Sequence, residues 1–261
     1  MAGVDLVRKV FEQTAAITDQ EHLNVALLSC SENVRDRSEF LFGRTRRNPA
    51  IEIAASLVQL DAMGCDVAAI ACLTSHSPRI YDEIISQLRR SGTRLRLLHA
   101  VEEVAAFCRQ YLSDVDVVGV LATSGSVNSD LFGPVFGRCG LTAIYPDPDV
   151  QGGLVHDAIY NAKHGIKAAV CPTMTQARNQ LMEAAQHLID KGAEAIVLGC
   201  TEIPLVISDS TIAGRTLIDP AVVVARSLIR HVAPEKLRPL AFSAFANAVQ
   251  GDLARAGSFR E

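Results

Sequence analysis

The chain of 261 residues is long enough for one large domain or two small ones. Hydrophobic residues make up 49% of it, which is ample for a core, yet no uninterrupted apolar run approaches the roughly 18 residues that span a bilayer. The net charge of −4 argues against a nucleic-acid-binding protein, and seven cysteines without a CxxC pair or a secretion signal favour a reducing, cytoplasmic location over a disulfide framework or a structural metal site.

Helices and strands alternate along the first part of the chain, as the spacing of apolar residues indicates. The predicted elements are a helix over 4–14, a strand over 24–29, a polar loop over 30–40, a helix from Pro49 to Gly64, a strand over 66–72, a helix from Pro78 to Gly92 and a strand over 94–99. Proline at the first helical position and glycine after the last are typical helix boundaries.

The same alternation continues to the end of the chain. The predicted elements are a helix over 101–112, a strand over 116–122, a loop over 123–129, a strand within 140–147, helices over 154–164 and 173–191, strands over 195–198 and 215–219, a helix over 220–231 and an amphipathic segment over 240–250. Strands that alternate with helices at this spacing predict βαβ units, so the fold class is α/β with parallel sheet.

One stretch of the chain is repeated. Residues 60–74 align with residues 188–202 without a gap, at an offset of 128. In both copies a helix ends at glycine, an acidic residue follows, and a strand leads to a cysteine, Cys72 in one copy and Cys200 in the other. A period of this length suggests two similar α/β halves, which would bring one thiol from each half to a common cleft.

The paired cysteines suggest acid–base chemistry. Open α/β sheets bind ligands at the carboxyl ends of their strands, where Cys200 is expected, although a free cysteine is also a common buried residue. Two acid–base groups on opposite faces of one carbon can remove a proton from one face and return it to the other, which inverts a stereocentre without a cofactor. Thiols suit this role because their pKa of about 8.5 is readily tuned.

Candidate substrate-binding groups lie in predicted loops and at predicted helix ends along the chain. Arg37 could bind a carboxylate or could be a solvated surface arginine. The loop over 123–129 offers hydroxyls and backbone N–H groups to an anion, or is an ordinary turn before a helix. His76 is interpreted as a cap or a partner of the cysteine loop in preference to a catalytic histidine, and Lys167 as a cation near a helix end.

At these residues the chain resembles the aspartate/glutamate racemase superfamily, the PLP-independent amino-acid racemases. VLGCTEIPL, residues 197–205, is similar to the second-cysteine motif, and ACLTSH, residues 71–76, resembles the first. LATSGS at 121–126 resembles the substrate-carboxylate loop, and RDR at 35–37 the segment whose arginine contacts a carboxylate. The resemblance implies a site with Cys72 and Cys200 as catalysts, Arg37, Thr74, Ser75, Thr123, Ser124, Gly125, Ser126, Thr201 and Lys167 as substrate-binding residues, and His76 and Glu202 beside them.

The resemblance, which covers roughly residues 4–232, also implies an architecture. It predicts two flavodoxin-like three-layer domains with parallel sheets, related by a pseudo-two-fold axis, and an active site in the cleft between them. The expected domains are residues 1–98 with 217–261, and residues 99–216. The family frequently forms dimers, so a homodimer that binds a small amino acid, and no nucleic acid or membrane, is expected.

The chain departs from the family pattern in two places, and these leave the function open. It begins with the helix over 4–14, where the family usually has a strand and a Gly-rich loop first. Leu73 follows the first cysteine, where the family usually has asparagine, and this change bears on substrate specificity. The leading hypothesis is a racemase of aspartate or glutamate. The alternatives are a maleate-isomerase-like, hydantoin-racemase-like or decarboxylase-like enzyme, or a non-catalytic amino-acid-binding protein.

Overall fold

The strands form two sheets in the computed structural model, which describes residues 1–168 and 174–240. They are β1 (Val67–Ala68), β2 (Arg96–Leu97), β3 (Val117–Leu121), β4 (Thr142–Ile144), β5 (Ala195–Leu198), β6 (Thr211–Ile212) and β7 (Arg215–Ile218). β1 and β2 pair in parallel, and the other strands form a five-stranded sheet in the order β4-β3-β5-β7-β6. Neighbours in this sheet are parallel except β6 and β7.

Helices connect and cover these strands. They are α1 (Ala2–Gln13), α2 (Arg37–Leu41), α3 (Ala50–Ala62), α4 (Pro78–Ser91), α5 (Ala100–Tyr111), α6 (Ser124–Asn128), α7 (Gly133–Arg138), α8 (Pro148–Val150), α9 (Asp157–Tyr160), α10 (Thr175–Asp190) and α11 (Pro220–Val232). A π-helical turn, Gln151–His156, joins α8 to α9. Within the two described ranges, no helix has both the length and the hydropathy that a membrane crossing requires.

The repeated stretch forms the same local structure in both copies. Gly64 and Gly192 take positive φ angles of 86° and 97°, which glycine adopts without the steric cost that a Cβ would add. Each glycine therefore ends a helix, α3 or α10, and turns the chain towards a strand, β1 or β5. The start of α4 at Pro78 was predicted correctly, whereas α3 starts at Ala50, one residue after the predicted Pro49. Asn48 Oδ1 accepts a hydrogen bond from the N–H of Ala50 at 3.0 Å.

The five-stranded sheet is buried on both faces. All four residues of β5 are buried, as expected for a parallel strand covered by helices on both sides. One face packs against α5 and α7 through residues such as Val104 and Phe136, and the other packs against α10 through residues such as Leu181. This arrangement confirms the α/β fold with parallel sheet. The pseudo-two-fold relation and the domain boundaries stay predictions.

The apolar run over 24–29 forms no strand, and this prediction was wrong. Val25 and Leu27 remain 39% and 44% exposed. A strand requires a hydrogen-bonded neighbour, and in the described part of the chain the run over 24–29 pairs with no other strand. β1 and β2 themselves are two residues long, much shorter than the strands predicted over 66–72 and 94–99.

Two segments predicted as loops contain short helices. α2 begins within the segment over 30–40 and is capped by Asp36, whose Oδ1 accepts a hydrogen bond from the N–H of Glu39 at 3.0 Å. α6 lies within the segment over 123–129 and is capped by Thr123. The helix predicted over 154–164 ends early, at Tyr160. Of the predicted amphipathic segment over 240–250, residues 241–250 lie outside the described residues. The helices α2 and α6 were missed because side-chain caps stabilise helices that are too short to show an apolar period.

Candidate active site

The two cysteine-bearing segments lie side by side. Cys200 follows β5, and Cys72 follows β1 and precedes a 3-10 turn. The Thr201 hydroxyl donates a hydrogen bond to the backbone carbonyl of Ala71 at 3.2 Å, so the residue after one cysteine contacts the residue before the other. The fold thus brings together the two segments that carry the cysteines of the repeat. Cys200 is 4% exposed, and Cys72 is partly buried.

Cys72 lies beside a cation. Arg37 Nε donates to Cys72 Sγ at 3.2 Å. Burial raises the pKa of the Cys72 thiol, but the Arg37 guanidinium and the more distant Lys167 outweigh burial and hold this pKa below its ordinary value. The thiolate in turn raises the pKa of Arg37. This arrangement favours Cys72 in the charged form that abstracts a proton.

Cys200 lies beside an anion. Its thiol donates to Glu202 Oε2 at 3.1 Å, and Thr201 Oγ1 lies 3.2 Å from the same oxygen. Burial and the Glu202 carboxylate raise the pKa of Cys200 well above its ordinary value, against the smaller opposing effect of Lys167. The geometry therefore favours a thiolate at Cys72 and a thiol at Cys200.

Lys167 is the cation on the Cys200 side of the site. Burial lowers its pKa, but the nearby Cys200 and Glu202 groups outweigh burial, so the net shift is upwards and the ammonium stays charged. Its Nζ donates to the Tyr160 hydroxyl at 3.4 Å and lies 4.7 Å from the centre of the Tyr160 ring. Arg37 and Lys167 thus provide positive charge near both thiols.

Three hydroxyl groups predicted to bind substrate form a closed triangle. Thr74 Oγ1 lies 3.1 Å from Thr123 Oγ1 and 3.0 Å from Ser126 Oγ, which in turn lies 3.1 Å from Thr123 Oγ1. All three residues are buried, so this triangle ties α6 to the Cys72 loop. Ser75, beside Thr74, is fully buried as well. These contacts indicate that the loop is rigid.

Ser124 and Gly125, at the start of α6, make different contacts. Ser124 Oγ lies 3.2 Å from His156 Nδ1 and accepts from Gln151 Nε2 at 3.2 Å. A Cβ at Gly125 would lie 2.7 Å from Ser38 Oγ and 2.9 Å from its Cα, so only glycine lets α2 approach α6 this closely. This approach places α2, and with it Arg37, against the thiol of Cys72.

His76 supports the Cys72 loop from behind. Its Nδ1 donates to the backbone carbonyls of Cys72 and Leu73, both at 3.2 Å. Burial, with the neighbouring His99, lowers the pKa of His76 to about 4, so the ring is neutral at physiological pH. The neighbouring Leu73 is 2% exposed and belongs to the hydrophobic cluster that includes Phe132. His76 therefore orients the loop backbone.

The structure adds residues that the motifs did not reveal. Tyr160 contacts both Lys167 and Ser38, and its ring stacks on the His156 ring with the centres 4.9 Å apart. Asp36 was part of the segment that predicted Arg37, but no sequence pattern marked Tyr160, Gln151 or His156. In the described ranges, no group of three or more His, Cys, Asp or Glu side chains is arranged to hold a metal ion.

The chain is similar to proteins of known family and structure. Residues 1–228 match the family model described as Asp/Glu/hydantoin racemase. The aspartate racemase of Picrophilus torridus has a TM-score of 0.73 at 22% identity, over 95% of this chain and 94% of that chain. An aspartate racemase homologue from Pyrococcus horikoshii OT3 has a TM-score of 0.61 at 16% identity, over 87% of this chain and 94% of that chain.

A glutamate racemase from Francisella tularensis, solved in complex with D-glutamate, has a TM-score of 0.53 at 15% identity, over 92% of this chain and 80% of that chain. At such identities the structural likeness supports the fold, whereas the chemistry must be argued from the site.

Proposed function

The chain belongs to the Asp/Glu/hydantoin racemase family, and we propose that it is a cofactor-independent amino-acid racemase that uses Cys72 and Cys200 as paired acid–base catalysts. The observation that carries the proposal is the opposite electrostatic environment of two thiols on neighbouring segments. Arg37 lies 3.2 Å from the Cys72 sulfur, and Glu202 lies 3.1 Å from the Cys200 sulfur. A two-base inversion needs this asymmetry, because one group must accept a proton while the other is ready to donate one.

The chemistry proceeds by proton transfer alone. The Cys72 thiolate removes the α-proton from one face of the substrate, and the electron pair of the broken C–H bond is delocalised into the adjacent carboxylate. The Cys200 thiol then delivers its proton to the opposite face, which produces the other enantiomer. Cys72 is left as a thiol and Cys200 as a thiolate, and these states catalyse the reverse direction.

The charges near the thiols favour an acidic amino acid as substrate, aspartate or glutamate. Arg37 and Lys167 both carry buried or partly buried positive charge, and a substrate with two carboxylates would neutralise it. The N–H groups at the start of α6, with Ser124, are the groups we expect to hold the other polar substituents of the substrate.

The test is α-proton exchange in deuterated water, measured against a panel of D- and L-amino acids. Cys72→Ser and Cys200→Ser should each abolish racemisation, because each removes one of the two bases. Cys65→Ser is the matched control, because Cys65 lies in the same copy of the repeat as Cys72. The aligned position in the other copy is an alanine, Ala193, so the repeat does not require a thiol there. Full racemisation by either catalytic variant would refute the two-base proposal.

Other members of the family remain candidates if the acidic amino acids fail. Leu73 provides no hydrogen-bonding side chain next to Cys72 and is packed into the core. This observation favours a substrate with a less polar head, such as a hydantoin, as the second candidate. Turnover of hydantoins without exchange on free amino acids would select it. Calorimetric binding of an amino acid without any deuterium incorporation would select a non-catalytic binding protein instead.

The setting of the enzyme is also a proposal. The cysteines in the described ranges are all free thiols, which supports a reducing, cytoplasmic compartment. A homodimer is expected from the family resemblance, and its mass can be measured by analytical ultracentrifugation.

A further inference from the structure

Tyr160 connects the two sides of the site through its hydroxyl. The oxygen lies 3.0 Å from Ser38 Oγ and 3.5 Å from Asp36 Oδ2, both of which belong to the α2 segment that carries Arg37. On the other side, Lys167 Nζ donates to the same oxygen at 3.4 Å. Because an ammonium group can only donate, the phenol proton is left to bond to Ser38 or Asp36.

The ring of Tyr160 is itself held in place. It stacks on His156, with an angle of 27° between the ring planes, and Lys167 Nζ lies over its face. Ser38, the partner of the hydroxyl, is 3% exposed and packs against Gly125. The phenol also stays protonated, because burial and Asp36 raise its pKa more than Lys167 lowers it. Tyr160 therefore offers Lys167 a fixed acceptor and a fixed aromatic face.

We propose that Tyr160 is a positioning residue that holds Lys167 in the cleft through a hydrogen-bonded link to Ser38, and that its hydroxyl thereby sets the preference of the site for acidic substrates. The inference rests on the proposed function, in which Lys167 binds a substrate carboxylate. Without the hydroxyl, the ammonium loses its link to α2 and samples positions away from the substrate. Binding should then weaken more than proton transfer, because the thiols keep their own partners, Arg37 and Glu202.

The kinetic test uses the full chain with Tyr160→Phe, which removes the hydroxyl and keeps the ring. We expect KM for the acidic substrate to rise about three- to tenfold, the effect of one hydrogen bond, while kcat falls by less than twofold. Ser38→Ala should act in the same direction, and the double variant should be no worse than Tyr160→Phe alone, because both changes break one link. Tyr145→Phe is the matched control. The Tyr145 hydroxyl donates a hydrogen bond of 3.0 Å to Asp130, which is not one of the site residues.

A second measurement is independent of catalysis. The rate at which acetic anhydride modifies Lys167, followed by mass spectrometry, should rise about three- to tenfold in Tyr160→Phe and Ser38→Ala but not in Tyr145→Phe. An unchanged labelling rate, or an unchanged KM in an active enzyme, would overturn the inference. Faster labelling in a protein that exchanges no α-proton would refute the proposed function and leave the positioning of Lys167 by Tyr160 supported.

Discussion

Replacement of Arg37 by methionine tests the charge asymmetry of the two thiols. Methionine keeps an unbranched side chain beside Cys72 and removes the charge. The guanidinium holds the pKa of Cys72 below its ordinary value, so its removal should raise that pKa. At any pH below the raised pKa, less thiolate is then present. The acid limb of the pH–rate profile should therefore move to higher pH.

The size of this effect follows from the contact distance. Unit charges separated by the Nε–Sγ distance of 3.2 Å attract each other by about 5 kcal/mol at an effective dielectric constant of about 20. Desolvation of the pair offsets part of this attraction. If a net contribution of about 1.4 kcal/mol survives, the thiolate population at neutral pH falls about tenfold. We therefore expect a loss of about tenfold in the alkylation rate of Cys72.

The assay is carbamidomethylation of Cys72 by iodoacetamide across a pH series, followed by mass spectrometry. Arg35→Met is the matched control, because Arg35 is exposed and contacts Arg37 only through a backbone carbonyl in the described structure, which the variant keeps. Cys108 is an internal control, since burial raises its pKa to about 12 and it should stay unmodified. Identical rates for Arg37→Met and the wild type at every pH would refute the reasoning.

Three further substitutions have defined outcomes. Lys9→Met removes a buried cation that contacts Asp5 and Asp219 at 2.5 Å each. In urea the free energy of unfolding should fall by about 3–5 kcal/mol, because Asp219 loses its partner cation and Asp5 keeps only the exposed Arg8. Glu202→Gln removes the carboxylate that raises the pKa of Cys200, so the alkaline limb of the pH–rate profile should move to lower pH. Gly125→Ala should lower stability in the same urea assay by about 1–3 kcal/mol, because the new Cβ overlaps α2.

These substitutions have controls within the chain. Arg8→Met removes an exposed partner of Asp5 and should lower the free energy of unfolding by less than about 1 kcal/mol. An equal loss of stability in Lys9→Met and Arg8→Met would contradict the argument from the buried ion pair. Gly137→Ala meets no atom within 4 Å of its Cβ and should not destabilise, in contrast to Gly125→Ala. An alkaline limb that stays in place in Glu202→Gln would show that the carboxylate does not control Cys200.

The chain order of helices and parallel strands was predictable because it depends on short-range patterns. Glycines such as Gly64 and Gly192 mark in the sequence where a helix ends before a strand, and the four consecutive apolar residues of β5 predict a buried strand. The short helices α2 and α6 were missed because five residues show no apolar period. Their capping residues, Asp36 and Thr123, are of types that are also common in turns. The strand over 24–29 failed for a different reason, since a strand also needs a neighbour that local sequence does not specify.

The site divides in the same way. The sequence by itself determined which residues could do the chemistry, because the repeat and the motifs marked both thiols and placed Glu202 two residues from Cys200. Only the tertiary structure decided which charged groups surround each thiol. Arg37 reaches Cys72 across 35 residues of chain, and Tyr160 reaches Ser38 across 122. Contacts between such distant residues depend on how helices pack against one another, and packing leaves no periodic signal in the local sequence.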